Sequence, residues 1–462
     1  MTERLVVVGG DAAGMSAASQ ARRRRDADDL HIVAFERGRY TSYSACGIPY
    51  YVGGLVKTSD ELVTRAPEVF RRDFAIDART RHEVTSIDLD RRTVAGCDLD
   101  AGRDFEEPFD SLVIAAGSVP MRPSVPGIDA AGVYGVQTLD DGIALRAELE
   151  SDRVRRVVVV GGGYIGLEIA EAAAGCGLQV TVVDLAPTPV GTFDPDIGSF
   201  IADAVRGLGI ELVLGEAVTA VDTCAGRASA VLTATGREVP ADLVVLGLGV
   251  RPNVALAQAA GVPLGDSGGI AVDQRMRTQV AGVWAAGDCV ESRHRLSGQR
   301  VVVALGTHAN KQGRVAGINL GGGYATFPGV IGTAVTKICA LEVARTGLSE
   351  QEARDAGFEF LTAHVDSTTR AGYYPGAQPI RVKMTAERRS GRLLGAQIVG
   401  REGAAKRIDV LAACIWNGMT VEEVLGLDLS YAPPFAPVWD PVLIAARKAW
   451  EAVEGDIRSR PG

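Results

Sequence analysis

The sequence predicts an α/β fold in which two doubly wound parallel-sheet units are followed by an α+β C-terminal unit. Three observations carry this reading. Residues 5–8 form an apolar strand that runs into Gly9-Gly10-Asp11-Ala12-Ala13-Gly14 and then a helix over 15–25. The same order returns with the apolar strand 157–160, the turn Gly161-Gly162-Gly163-Tyr164-Ile165-Gly166 and a helix reaching about Cys176. After Gly321-Gly322-Gly323 the pattern changes, with strands at 358–365, 380–384 and 393–399 preceding helices that contain residues 408–416 and 438–450.

Each glycine turn is half of a Rossmann-like dinucleotide site. In the first, Gly9 permits the turn, Gly14 lets strand and helix approach, and the helix N-terminus offers N–H groups to a pyrophosphate. Asp11 stands where a second glycine is usual, so its carboxylate must turn aside from a pyrophosphate. Glu36 ends the next apolar strand, 32–35, where an acid can bind a ribose hydroxyl. In the second turn Gly161, Gly163 and Gly166 are all present, and Asp184 closes the strand 180–184. No Lys or Arg occurs from 185 to 193 to receive a 2′-phosphate, which favours NADH over NADPH.

At 462 residues and 47% apolar content the chain can bury several cores, and three domains are expected. A formal charge of -9 argues against a general nucleic-acid binder. The apolar runs are broken by glycine well before bilayer length, and the start of the chain lacks a signal-peptide pattern, so no membrane association and a cytoplasmic location are expected. Seven scattered cysteines form neither a disulfide framework nor a zinc pattern, and the five dispersed histidines complete no metal-ligand spacing, so no metal is expected.

Cys46, in Tyr43-Ser44-Ala45-Cys46-Gly47-Ile48-Pro49-Tyr50, follows the first nucleotide unit closely and has no second cysteine nearby; the next is Cys97. A lone thiol finishes a redox cycle as a mixed disulfide with a small thiol or as a sulfenic acid. A neighbouring helix N-terminus is expected to lower its pKa. Cys176 and Cys414 fall in helical patterns and Cys339 in a strand, where a small buried hydrophobe is common. His308, at the start of a helical stretch, is read as structural.

Three further stretches, Asp110-Ser111-Leu112-Val113-Ile114-Ala115-Ala116-Gly117, Gly249-Val250-Arg251-Pro252-Asn253 and Val283-Trp284-Ala285-Ala286-Gly287-Asp288, complete a pattern over essentially the whole chain. The chain resembles the flavin-dependent pyridine nucleotide disulfide oxidoreductases. The resemblance implies FAD in the first site, near Gly9, Gly14, Glu36, Ala116 and Gly117, with Asp288 on the ribityl chain. NAD(P)H would occupy the second, near Gly161, Gly163, Gly166 and Asp184, with Tyr164 covering the flavin and moving when nicotinamide arrives, and Glu168 near the same face. It also implies a discontinuous FAD domain of residues 1–118 and 250–327, an NAD(P)H domain of 119–249 and a dimerisation domain of 328–462.

Ser42 and Cys46-Gly47-Ile48-Pro49-Tyr50 look like the single-cysteine branch of coenzyme A disulfide reductases, NADH oxidases, NADH peroxidases and persulfide or polysulfide reductases. Oxidases and peroxidases of the branch usually carry a histidine where Ala12 stands. Gly372-Tyr373-Tyr374-Pro375-Gly376 and Tyr431-Ala432-Pro433-Pro434-Phe435 resemble the coenzyme A disulfide reductase signatures. By that resemblance Tyr373 and Tyr431 reach across a homodimer towards the partner's cysteine and help to protonate a departing thiolate. Ala45 departs from relatives that carry Asn before the cysteine.

The expected reaction passes electrons from NAD(P)H through FAD to Cys46 and on to coenzyme A disulfide, with coenzyme A held on Cys46 as a mixed disulfide. Gln20, Arg23, Ser42 and Arg65 are the candidate substrate-binding residues. The basic stretch 22–25 reads equally as a solvated helix face, Ser42 as a turn serine, and the two tyrosines as packing aromatics. Persulfide reduction, NADH oxidation and a flavoprotein electron carrier or redox sensor with an idle Cys46 remain alternatives.

Overall fold

A computed structural model describes residues 2–459. The first sheet is fully parallel, in the order Val283–Ala285, Ser111–Ile114, Glu3–Val8, Leu30–Glu36 and Ile76–Thr80. Its central strand carries Leu5, Val6 and Val7, all fully buried, because a parallel sheet is covered on both faces and its strands read as continuous apolar runs. The strand at 283 pairs with the one at 111, so two distant stretches of chain share this sheet.

The intervening chain forms the second sheet, also parallel, in the order Glu211–Leu214, Gln179–Asp184, Arg156–Val160, Leu243–Leu246 and Val133–Gly135. The two passages between the units, Ser118–Pro120 and Val250–Pro252, pair with each other. Each unit also carries a three-stranded antiparallel sheet, at His82–Asp88, Thr93–Asp98 and Arg103–Pro108 and at Val218–Cys224, Arg227–Thr233 and Glu238–Pro240.

The C-terminal sheet is antiparallel, in the order Ala334–Ile338, Leu341–Gly347, Leu393–Gly400, Pro379–Glu387 and Phe360–Thr368. The helices Ile408–Trp416 and Pro441–Ser459 share its apolar core. Three packed units, two of them doubly wound, make the predicted fold class the observed one. Among the described residues no helix is long and apolar enough to cross a membrane.

The structure corrects several boundaries. The first helix spans Ala12–Arg22 rather than 15–25, because extended Asp11 is its N-cap. The last begins at Pro441, not 438, and runs to Ser459; residues 460–462 lie outside the described residues. Cys339 is not in a strand. It turns the hairpin between Ala334–Ile338 and Leu341–Gly347 with φ +59°. Cys176 caps the helix Tyr164–Gly175 and is exposed, whereas Cys414 is buried as expected.

Glycines set how closely the first unit closes. Gly313 and Gly317, on the helix Gly306–Leu320, sit where a Cβ would overlap the carbonyl oxygens of Ala13 and Ala17 on the first helix. A methyl group there must push two helices apart. Gly313→Ala is therefore expected to cost about 1–3 kcal/mol in thermal or urea unfolding. Gly175→Ala, at a helix end with open space around it, is expected to be neutral or to stabilise by about 0.5–1 kcal/mol.

Candidate active site

The first turn brings Gly9 (φ +111°) under the carbonyl of Ala115, where any Cβ would overlap it. Glu36, at the end of its strand, accepts the Gly10 N–H at 2.8 Å and the Gly38 N–H at 2.6 Å. Asp11 does turn aside, for its carboxylate accepts the Tyr43 N–H at 3.2 Å. Burial and the neighbouring Glu36 push its pKa up to about 7. Asp288 follows the strand Val283–Ala285, bonded at 3.1 Å by the Ser118 hydroxyl and raised by burial. Asn253 donates its side-chain amide to the Ala116 carbonyl and its backbone N–H to that of Gly117.

The second turn repeats this geometry. Gly161 has φ +103°, Gly163 is the helix N-cap, and a Cβ on Gly166 would overlap the Gly161 carbonyl oxygen. The Asp184 carboxylate accepts the N–H groups of Gly162 and, at 2.7 Å, Ala186. Tyr164, first in the helix, bonds Thr192 through its hydroxyl at 3.1 Å and meets the Phe193 ring edge-on. One turn later Glu168 accepts the Thr336 hydroxyl from the C-terminal sheet at 3.0 Å, and burial raises its pKa.

Cys46 lies in the short turn Ala45–Gly47 and is exposed. The residues after it, Ile48, Tyr51 and Val52, share one apolar core with the second sheet and with Ile338, Val343 and Val399 of the C-terminal unit. The cysteine therefore sits where three units meet. The expected lowering of its pKa beside the following short helix, Ile48–Val52, is not seen. Desolvation of the sulfur comes first, then the carboxylates of Glu168 and Asp288, and together they raise the thiol.

Upstream, Ser42 holds a left-handed φ of +49°, its N–H on the Gly10 carbonyl at 3.1 Å and its carbonyl on the Thr64 N–H at 2.9 Å. Strained non-glycine residues cluster at functional sites. Gln20, Arg23, Ser42 and Arg65 line one cavity of about 320 Å³, together with Asn310 and Arg314. Sequence reading missed the last two, whose only signal was their four-residue spacing on a helix. Arg65 stacks on Phe70 and Phe74, while Arg22, beside the cavity, is spent on the carbonyls of Phe74, Arg25 and Leu30.

Tyr373 and Tyr431 are 78% and 46% exposed on the C-terminal unit, and their hydroxyls are hydrogen-bonded, which raises Tyr431. Their loops are joined by the Ala371 N–H on the Pro433 carbonyl, 3.1 Å, and by Arg407, which donates to the carbonyls of Thr369 and Phe435 at 2.7 Å each. Arg407 is in turn paired with Asp440 at 3.2 Å. Phe435, Val438 and Trp439 add exposed apolar surface beside the tyrosines. His308 contacts Phe327 edge-on, and burial lowers its pKa to about 4.

The model of the pyridine nucleotide-disulphide oxidoreductases matches residues 3–313, and that of the family's dimerisation domain matches 333–441. The chain belongs to this family. It is 39% identical over 448 residues, 97% of this chain and 98% of the relative, to an NAD(P)H coenzyme A polysulfide/persulfide reductase of Pyrococcus horikoshii. It is 28% identical over 447 residues, 96% and 99% of the two chains, to a coenzyme A disulfide reductase of Staphylococcus epidermidis. The structure of an NAD-dependent persulfide reductase from A. fulgidus superposes with a TM-score of 0.94 at 39% identity, covering 98% of this chain and 84% of that one.

The family uses FAD and NAD(P)H, and the residues present fit both. Two cradles in which only glycine fits, each closed by a strand-end carboxylate, suit the pyrophosphate and ribose of a dinucleotide. Asp288 offers a further carboxylate acceptor beside the first turn.

The Asp11 pKa of about 7 makes the enzyme's stability depend on pH. Against an unfolded value near 3.9, the folded carboxyl holds its proton more tightly, so this contribution is complete below about pH 4 and is lost as pH rises through 7. Asp11→Asn removes the slope. Thermal unfolding of the flavin-free protein is expected to show stabilisation of roughly 2 kcal/mol at pH 8, half the full linkage value because some solvent reaches the side chain, and little change at pH 4.5.

Proposed function

We propose that the protein is an NADH-preferring reductase of coenzyme A disulfide and that Cys46 is its single redox-active thiol. The observation that carries this reading is an isolated, exposed Cys46 four residues after Ser42, which lines a cavity with Arg23, Arg65 and Arg314, and this calls for a small-thiol partner rather than an internal disulfide. The overall change is coenzyme A disulfide plus NADH and a proton to two coenzyme A thiols and NAD⁺. When bound, FAD supplies the transfer of two electrons from the nicotinamide to sulfur.

The chain's own residues do the rest in this reading. Gly9, Gly14, Glu36, Ala116, Gly117 and Asp288 bind FAD, from the segments 1–118 and 250–327. Gly161, Gly163, Gly166 and Asp184, within 119–249, bind NADH. The acid at 184 and the absence of Lys or Arg from 185 to 193 disfavour a 2′-phosphate. Tyr164 covers the nicotinamide position until NADH displaces it, with Glu168 on the same face. The Cys46 thiolate attacks one sulfur of the disulfide and releases coenzyme A thiolate, leaving coenzyme A on Cys46 as a mixed disulfide. Reduction of that bond returns the Cys46 thiolate and frees the second thiol.

Arg23, Arg65 and Arg314 neutralise the phosphates, and Gln20 and Ser42 line the approach. The unit 328–462 forms a homodimer through the face with Phe435, Val438 and Trp439, which brings Tyr373 and Tyr431 to the Cys46 of a second copy. Tyrosine, ordinarily near 10, remains protonated where a thiol near 8.5 does not, and the hydrogen bond with Tyr373 raises Tyr431 further, so Tyr431 can donate to the leaving thiolate. Soluble, cytoplasmic chemistry under reducing conditions suits this cycle. Identity of 39% to a coenzyme A polysulfide/persulfide reductase, against 28% to a coenzyme A disulfide reductase, favours a second reading in which the same thiol accepts persulfide sulfur.

Cys46→Ser is expected to lower disulfide turnover by about 1000-fold or more while NADH still reduces the flavin at the wild-type rate. Intact mass of the unreduced, denatured wild type should exceed that of the reduced sample by one coenzyme A. An unmodified Cys46 with faster turnover of coenzyme A persulfide than of the disulfide would instead establish the second reading. Tyr431→Phe should lower kcat for the disulfide by roughly 10- to 100-fold and leave flavin reduction by NADH unchanged.

A further inference from the structure

The segment that follows Asp184 is fastened near its middle and at its far end, and the second anchor is on the C-terminal sheet. Near its middle, Val190 is buried in a left-handed conformation, φ +50°, with its N–H on the Gly162 carbonyl at 2.8 Å. A β-branched residue holds that conformation only where its surroundings impose it.

Asp194, 4% exposed, ends the segment with every polar group used. Its backbone N–H donates to Gln397 Oε1 at 3.0 Å. Its carboxylate accepts from Gln397 Nε2 at 2.8 Å, from the Glu350 N–H at 2.9 Å and from Lys383 at 2.9 Å. Lys383, with a side chain 5% exposed, also reaches Asp196 and Glu350 at 2.8 Å each. Between these fixed points the buried Arg345 donates to the Thr192 carbonyl, and its guanidinium is held by Glu352 and, at 2.9 Å, by the Gly347 carbonyl. The Thr192 hydroxyl is the partner of Tyr164 at 3.1 Å.

We propose that Arg345, backed by the Lys383 cluster, is a positioning residue for the pyridine nucleotide: it fixes the 185–194 loop beside Asp184 and, through Thr192, the closed position of Tyr164. The two contacts have opposite effects on NADH. The anchor pre-organises the ribose end of the site and so favours binding. The Tyr164 to Thr192 hydrogen bond must break when the nicotinamide enters and so opposes it. The C-terminal unit thereby sets the nucleotide affinity of a neighbouring unit. This inference rests on the proposed nucleotide role of Asp184 and Tyr164 and is independent of what Cys46 reduces.

Rapid-mixing measurement of flavin reduction by NADH in the holoenzyme tests it. Arg345→Met should raise the apparent Kd for NADH about tenfold, and Arg345→Lys, which restores one donor, should recover part of that loss. Thr192→Val, which keeps the carbonyl and removes the hydroxyl, should lower the Kd about threefold. Reoxidation of chemically reduced enzyme by coenzyme A disulfide should stay within about twofold of wild type in all three. Asp184→Ala reports on the reading beneath: an unchanged NADH constant there sinks the nucleotide assignment. An Asp184→Ala response with Arg345→Met and Thr192→Val silent, or with both half-reactions falling together, overturns the positioning role.

Discussion

Backbone running against backbone at the glycine turns is the constraint on which the rest depends. Gly9 lies against Ala115, Gly14 against Gly9, Gly161 against Gly247 and Gly166 against Gly161, each so close that a single methyl group would collide with a carbonyl oxygen. That proximity brings a helix N-terminus to the end of the neighbouring strand, where Glu36 or Asp184 can take up a turn N–H. The same device closes the first helix on the helix Gly306–Leu320. Side-chain chemistry around the nucleotide sites is thus a consequence of where side chains are missing.

The polypeptide around Cys46 is acidic. Burial of the sulfur acts first, and the carboxylates of Glu168, Asp288 and Asp11 add to it. The fold therefore holds the sulfur in its neutral form more than a solvated cysteine would, and a thiolate there needs stabilisation from bound groups. Arg23, Arg65 and Arg314 line a cavity that does not include Cys46, where they suit phosphates rather than sulfur.

Much of this was legible because the informative signals were local. Two strand-turn-helix runs with acids at the next strand end gave the doubly wound units, and strands before helices gave the C-terminal one. Gln20, Arg23, Ser42 and Arg65, separated in sequence, do line one cavity. What escaped either lacked a clean local pattern or depends on distant partners. The three-stranded sheets at 82–108 and 218–240 are short and half-exposed, with charged and polar residues masking their alternation. Ile338 to Leu341 reads as one apolar run, yet Cys339 breaks it with a positive φ. Nothing near Arg345 or Lys383 in sequence marks either as buried, since the carboxylates and carbonyls that admit them come largely from residues 192–196 and 350–352.

The order of strands in the first sheet also bears on how the chain comes off the ribosome. The strands at residues 3, 30 and 111 emerge early but lack their edge partner at 283 and the covering helix at 306 until much later. The second sheet, drawn wholly from residues 133–246, has all of its strands available before then. Non-local pairing of this kind is slow, and unpaired strand edges are prone to aggregate. Vectorial synthesis thus favours folding from the middle outward, with the N-terminal third kept waiting as the segment most in need of chaperone protection.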